Sequence, residues 1–184
     1  MELILYAEPG GALGARCAEF WAAASAADAT TSAQEYPPHV TLTGFFHRPP
    51  EALPDVLAAF RAAVDATVPA GLDGSRWATP VTLEYQANDT WIGLHVQAAW
   101  MDAVIAAFVE ACPAVPGDDP VRPKSWLHVS LSYGEQFEWA HDAAAALAAQ
   151  VGLPDVTGEN EWSVAVWYRD DSDWERLTSA TVRS

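Results

Sequence analysis

The sequence predicts an α+β fold from three observations. Strand-like and helix-like stretches alternate along its 184 residues, a strand motif recurs at a fixed interval, and 51% of the residues are hydrophobic. That length and apolar fraction suit one soluble globular domain with a full core and are short for two independent ones. The opening MELILYAEPGG reads as a strand, with no basic n-region, and no run reaches the roughly 20 apolar residues of a membrane-spanning helix. A cytoplasmic address with no membrane contact is therefore expected.

Taken in order, Glu2 to Ala7 is a short apolar strand, and Gly11 to Asp28 has an Ala-rich helical pattern carrying Leu13, Cys17, Phe20 and Trp21. Tyr36-Pro37-Pro38 stops any helix and imposes an extended entry. His39 to Phe46 is β-rich, and Pro50 to Val68 is helical with Pro near its start. Trp77 to Gln86 and Thr90 to Gln97 read as a hairpin around Ala87-Asn88-Asp89. Trp100 to Cys112 is helical and is stopped at Pro113. A loop with Pro116, Gly117, Pro120 and Pro123 leads to a strand from Trp126 to Tyr133. Trp139 to Gln150 is an Ala-rich helix. Two closing strands, Glu161 to Arg169 and Trp174 to Val182, flank a solvated turn at Asp170 to Asp173.

His128 stands 89 residues after His39 (128 − 39 = 89). The same shift lays His39-Val40-Thr41-Leu42-Thr43 on His128-Val129-Ser130-Leu131-Ser132, Leu5 on Leu94 and Tyr6 on His95. Two copies of a strand–helix–strand–helix unit follow, over approximately 1–75 and 90–155, with closing strands over 160–183 in a single 1–184 domain. Duplicated halves facing each other across a pseudo-two-fold axis would bring both histidine strands to one cleft.

Nine Lys plus Arg against 25 Asp plus Glu give a formal charge of −16. Such a surface repels a polyanion, so no long nucleic acid is expected as a partner, whereas a small phosphorylated ligand fits. Cys17 and Cys112, in apolar helical patterns with no CxxC pair, read as buried free thiols.

The chemistry concentrates in the two repeated strands. Side chains alternate with period two, so His39, Thr41 and Thr43 share one face while Val40 and Leu42 take the other. Likewise His128, Ser130 and Ser132 oppose Val129 and Leu131. An imidazole gives or takes a proton near neutral pH, and a hydroxyl two residues on donates to a phosphate oxygen. Facing strands of this kind supply a base, an acid and two oxyanion donors. Hydrolysis of a cyclic phosphodiester needs that set, with no metal or other cofactor. His47, His95 and His141 lack the hydroxyl partner.

His39-Val40-Thr41-Leu42 and His128-Val129-Ser130-Leu131 resemble the paired H-x-[ST]-hydrophobic motifs of the 2H phosphoesterase superfamily. The continuation to Ser132-Tyr133, with Val166-Trp167-Tyr168 and Trp174-Glu175-Arg176 near the chain end, is similar to its cyclic phosphodiesterase branch. The resemblance implies two pseudo-symmetric lobes, each an antiparallel sheet backed by helices, around a central cleft. It implies a 2′,3′-cyclic nucleotide or ADP-ribose 1″,2″-cyclic phosphate as substrate, acted on without a metal. A monomer is expected. His39 and His128 would be the acid/base pair, with His128 as base, and Thr41 and Ser130 the phosphate-oxygen donors. Tyr6 and Tyr133 would be the aromatic residues beside the ligand. Thr43 and Ser132, one pleat further along the histidine faces, are expected to support the site.

The same residues admit other readings. An RNA-end 2′,3′-cyclic phosphodiesterase or 2′-5′ ligase is disfavoured by the charge, and a cyclic oligonucleotide hydrolase shares the chemistry. A non-catalytic nucleotide-binding module would keep the histidines for contacts alone. A two-histidine metal site lacks a third ligand at useful spacing. His95 is expected to line the cleft or lie at the surface. Arg122 and Lys124 read as loop charges able to attract an anion, His47-Arg48 as the end of the first motif strand, and Trp91, Trp162 and Trp167 as core.

Overall fold

A computed structural model describes residues 1–27, 32–70, 76–88, 90–115, 118–133, 141–155, 161–170 and 173–183. The elements are β1 (Glu2–Pro9), α1 (Gly11–Ala26), a single helical turn (Ser32–Glu35), β2 (Val40–Thr41), β3 (Phe46–His47), α2 (Leu53–Thr67), β4 (Thr82–Asn88), β5 (Trp91–Gln97), α3 (Ala99–Ala111), β6 (His128–Tyr133), α4 (His141–Gln150), β7 (Glu161–Asp170) and β8 (Asp173–Arg183). The order β1-α1-β2-α2 recurs as β5-α3-β6-α4, as the repeat predicts. The start of the expected helix at Trp139 and Ala140, loop residues Pro116 and Gly117, and Asp89, Asp171 and Ser172 lie outside the described residues.

The fold is α+β, with one open antiparallel sheet ordered β4-β5-β6-β2-β1-β7-β8 and β3 beside β1. The halves are therefore not two separate sheets. A main-chain pairing between the motif strands, Val40 opposite Val129, joins them. Alternation decides which face the helices cover. Leu3, Leu5 and Ala7 of β1, Val40 and Leu42, Leu94 and Val96, and Val129 and Leu131 pack with Phe20, Phe60, Met101, Val104 and Phe108 of α1 to α3. Ile4 and Tyr6 point to the opposite face and stand outside that cluster. Cys17 and Cys112 are free and buried in the helical layer, and burial pushes the Cys17 thiol up to about 12.

Two strand boundaries differ from expectation. The β-rich run 39–46 splits into β2 and β3 because its middle pairs elsewhere: Lys124 N–H donates to Leu42 O, Gly44 N–H donates to Arg122 O, and Thr43 bridges Pro123. The strand expected from Trp77 begins only at Thr82, past Pro80, which has no N–H for a ladder. The hairpin turn before β5 is held by Asn88 Oδ1, which accepts from Thr90 N–H, Thr90 Oγ1 and Trp91 N–H.

Candidate active site

The pairing of Val40 with Val129 sets the site. Continuing that antiparallel register places His39 opposite Ser130 and Thr41 opposite His128, all four on the face away from the helices. The imidazoles are then diagonal neighbours, a relation that separates cross-strand residues by about 7–8 Å. That interval fits one phosphate group. The hydroxyls lie on the other diagonal.

Each imidazole is held in the same way. His39 Nδ1–H donates to Pro37 O at 2.8 Å, and His128 Nδ1–H donates to Trp126 O at 3.2 Å, in both cases the carbonyl two residues earlier. A carbonyl only accepts, so Nδ1 carries the proton and Nε2 of the neutral ring keeps its lone pair. Tyr6 lies against His39 with ring centroids 3.9 Å apart, and Trp126 stacks on His128 at 4.0 Å. Burial holds the His39 pKa below the ordinary histidine value, opposed by the Pro37 carbonyl and reinforced by the charge of His128. Burial also lowers His128, opposed by the Trp126 carbonyl and reinforced by Lys124 and His95.

Ser130 is oriented more tightly than its spacing reveals. Trp91 Nε1–H donates to Ser130 Oγ at 3.0 Å, and the Tyr133 hydroxyl donates to it at 2.9 Å. With both acceptor positions filled, the Ser130 proton is left to donate outward. Tyr133 reaches Ser130 through a β-bulge. Gly93 faces Ser130 but Ile92 faces Ser132, so Leu131 has no partner on β5 and its carbonyl accepts from Trp21 Nε1. The bulge shifts the alternation by one.

That shift corrects one expectation: Ser132 is buried, and Tyr133 takes the place on the site face that strict alternation assigned to it. Thr43 lines the cavity yet is buried, at 0% exposure, and its Oγ1 accepts Leu5 N–H at 3.1 Å, so this hydroxyl braces β1 at the cavity wall. Tyr6 lines the cavity but is 2% exposed with its ring against His39, and it offers no open face for a base to stack on. Burial raises its phenol above the ordinary tyrosine range.

The 89-residue shift holds for the motif strands and slips by two in the strands beside them. Tyr6 faces Thr41, and Gly93 faces Ser130, so Gly93 is the counterpart of Tyr6. The Trp91 indole fills the space that the glycine leaves: a Cβ on Gly93 would lie 2.2 Å from Trp91 Cζ2. His95 sits instead opposite His128, with Glu84 3.7 Å from its Nδ1. His47 Nδ1 pairs with Asp119 at 2.8 Å, away from the site. The His141 side chain lies outside the described residues.

A cavity of about 410 Å³ includes His39, Thr41, Ser130 and Tyr133, with Glu35 and Lys124, and His128 lines the neighbouring one. Sequence reasoning left Glu35 unassigned and read Lys124, the chain's single lysine, as a loop charge. The backbone bond from Lys124 to Leu42 O fixes that loop against the site. Trp91 and Trp126 were likewise missed as site residues; Trp126, two residues before His128, had a signal in strand periodicity. Among the described residues no group of three His, Cys, Asp or Glu could hold a metal ion, and no helix is long and apolar enough to cross a membrane.

A sheet carrying two imidazoles held through Nδ1 and two hydroxyls on one face has the groups that acid/base chemistry on an anionic ester requires. The chain is similar to an ecdysteroid-phosphate phosphatase of Drosophila melanogaster, 26% identical over 206 residues that cover 92% of this chain and 26% of that protein. It is similar to the ubiquitin-associated and SH3 domain-containing protein B of Mus musculus, 28% identical over 176 residues that cover 92% and 25%. An ecdysteroid-phosphate phosphatase of Bombyx mori is 24% identical over 135 residues, covering 72% and 20%. The chain thus spans about a quarter of the length of the curated relatives it matches. No family model matches it, and no solved structure does.

Proposed function

We propose that this protein is a phosphoester hydrolase of the 2H type that opens a small cyclic phosphodiester, a 2′,3′-cyclic nucleotide or ADP-ribose 1″,2″-cyclic phosphate, to a phosphomonoester. The observation that carries the reading is the register through Val40 and Val129, which makes His39, Thr41, His128 and Ser130 neighbours on one face of the sheet. Relatives named as phosphatases are consistent with phosphoester chemistry in the broad sense. Those names describe proteins about four times as long, so the cyclic ester rests on the site and on the resemblance of its two motifs.

In this reading the phosphorus lies between the imidazoles. Nε2 of one ring takes a proton from water as the water oxygen bonds to phosphorus. Nε2 of the other protonates the ribose oxygen as its bond to phosphorus breaks. The family analogy makes His128 the base. Thr41 and Ser130 donate to the non-bridging oxygens, where negative charge grows in the transition state. Lys124 lies near enough to favour the anion.

The test is hydrolysis of the four 2′,3′-cyclic nucleotides and ADP-ribose cyclic phosphate in EDTA. The wild type is expected to turn over at least one of them, and His39→Ala and His128→Ala are each expected to lose at least about 100-fold. Near-normal turnover by both variants refutes the assignment, as does activity that EDTA abolishes and zinc restores. Tight cyclic-nucleotide binding without turnover would point instead to a binding module.

A further inference from the structure

The two imidazoles are not equivalent, and what distinguishes them stands on the strands outside the motif pair. Tyr6 corresponds to Gly93, so Glu8 corresponds to His95, two residues further along each strand. His95 is paired directly with His128. Continuing the register of Tyr6 with Thr41 and Ala7 with Val40 sets Glu8 in the same relation to His39. The buried Glu8 carboxylate is already occupied. It accepts from Trp167 Nε1 at 2.7 Å and from the Arg176 guanidinium, which balances its charge. His39 therefore faces a neutral ion pair, and His128 faces a second imidazole.

The row continues onto β4. Glu84 pairs with His95 in the ladder, and its Oε2 lies 3.7 Å from His95 Nδ1. Side chains directly opposed across a sheet have Cβ atoms about 4.5–5.5 Å apart, so positive charge on one of two such rings disfavours it on the other. Trp126 stacks on both, with centroids 4.0 Å from His128 and 6.3 Å from His95. The other titratable groups about His128 are His39 on β2, Lys124 on the loop before it and Tyr133 on β6, with Glu35 on the neighbouring cavity. Among the described residues no carboxylate lies within ion-pair distance of His128, and Glu84 lies within it of His95. After burial and Lys124, His95 is a further influence that holds the His128 pKa down.

We propose that His95 is a positioning residue that sets the direction of catalysis, keeping the resting proton off His128 and leaving it to His39. His128 Nε2 then takes the water proton as oxygen bonds to phosphorus, and His39 Nε2 gives its proton to the ribose oxygen as that bond breaks. The proposal rests on the reading of His39 and His128 as an acid/base pair. It supplies, from this chain's own residues, a reason for the choice between them.

The test is the ring titration of His128, followed by long-range ¹H–¹⁵N NMR without substrate and identified by its loss in His128→Gln. In His95→Gln the midpoint is expected to rise by about half a pH unit or more, because a neighbouring positive charge is removed. His95→Arg keeps a permanent charge at that position, and its midpoint is expected at or below the wild-type value. The His95 side chain is 21% exposed, so the longer arginine has room to reach solvent. Loss of packing against Trp126 would move both variants the same way. The acid limb of kcat/KM is expected to follow the same order as the ring titration. An unmoved midpoint in His95→Gln, or the same displacement in both variants, overturns the proposal. Because the titration needs no turnover, failure to hydrolyse cyclic phosphates strikes the proposed reaction and leaves the effect of His95 readable. A flat titration beside normal turnover sinks the role of His95 alone.

Discussion

Val40 of β2 pairs with Val129 of β6, and the two residues are counterparts in the repeat (40 + 89 = 129). A residue that pairs with its own counterpart on an antiparallel strand places a local two-fold axis between them. That axis carries His39 to His128 and Thr41 to Ser130. It also carries the Nδ1–H bond of His39 to Pro37 O onto that of His128 to Trp126 O (37 + 89 = 126). Two copies of one short motif thereby bring an imidazole to each end of a single patch.

Both histidines are held below the ordinary pKa of about 6.5 by burial. Acid/base catalysis needs one ring neutral and one protonated, and the free protein meets that condition between the two macroscopic pKa values of the pair. The kcat/KM profile is therefore expected to be bell-shaped with its maximum below pH 6.5, falling on the acid side as the base protonates. A maximum at pH 7.5 or above contradicts this.

The same shifts bear on stability. Near pH 6 the unfolded chain binds more protons at these two positions than the folded one, so they make stability fall as pH drops through 6.5. His39→Gln removes one of the two contributions. Urea unfolding of this variant at pH 5 and pH 7 is expected to show a smaller difference between the two than the wild type does. An unchanged difference counts against a buried, neutral His39.

Ser130→Ala removes one of the two hydroxyls proposed to donate to the non-bridging oxygens and leaves Trp91 Nε1 and the Tyr133 hydroxyl without their acceptor. Loss of one such donor lowers kcat by about 10²–10³ in other enzymes, and a fall of that order is expected here. Circular dichroism should show the fold retained. An effect confined to KM would mean that Ser130 binds the substrate and transition state equally.

Thr43→Val is expected to act on stability and not on chemistry. It strips the buried Leu5 N–H of its acceptor, a loss of about 1–3 kcal/mol that urea unfolding would read. A marked rise in KM with unchanged stability would return Thr43 to the ligand.

Gly93→Ala puts a methyl group 2.2 Å from both Trp91 Cζ2 and Val129 O. Overpacking of this kind costs about 1–3 kcal/mol, and displacing Trp91 also frees Ser130. Lower thermal stability together with lower kcat is expected. A variant with both unchanged would show that the Trp91 indole can leave this position without consequence.

The sequence by itself determined the alternation of elements and which residues of each motif strand share a face. Strand periodicity is local, so a His and a hydroxyl two residues apart share a face wherever the strand lies, and an 89-residue recurrence is visible without coordinates. Only the tertiary structure decided what depends on a neighbouring strand. The bulge at Leu131 exchanged Ser132 for Tyr133, because alternation is broken by an unpaired residue that only β5 and Trp21 reveal. The slip that matched Tyr6 with Gly93 let Trp91 reach Ser130 from a position that reads as core. Lys124 became part of the site because its loop bonds to Leu42, a contact between segments about 80 residues apart that no spacing rule encodes. The meeting of the two histidines was decided there too, since register between β2 and β6 is a property of the pair and of neither strand alone.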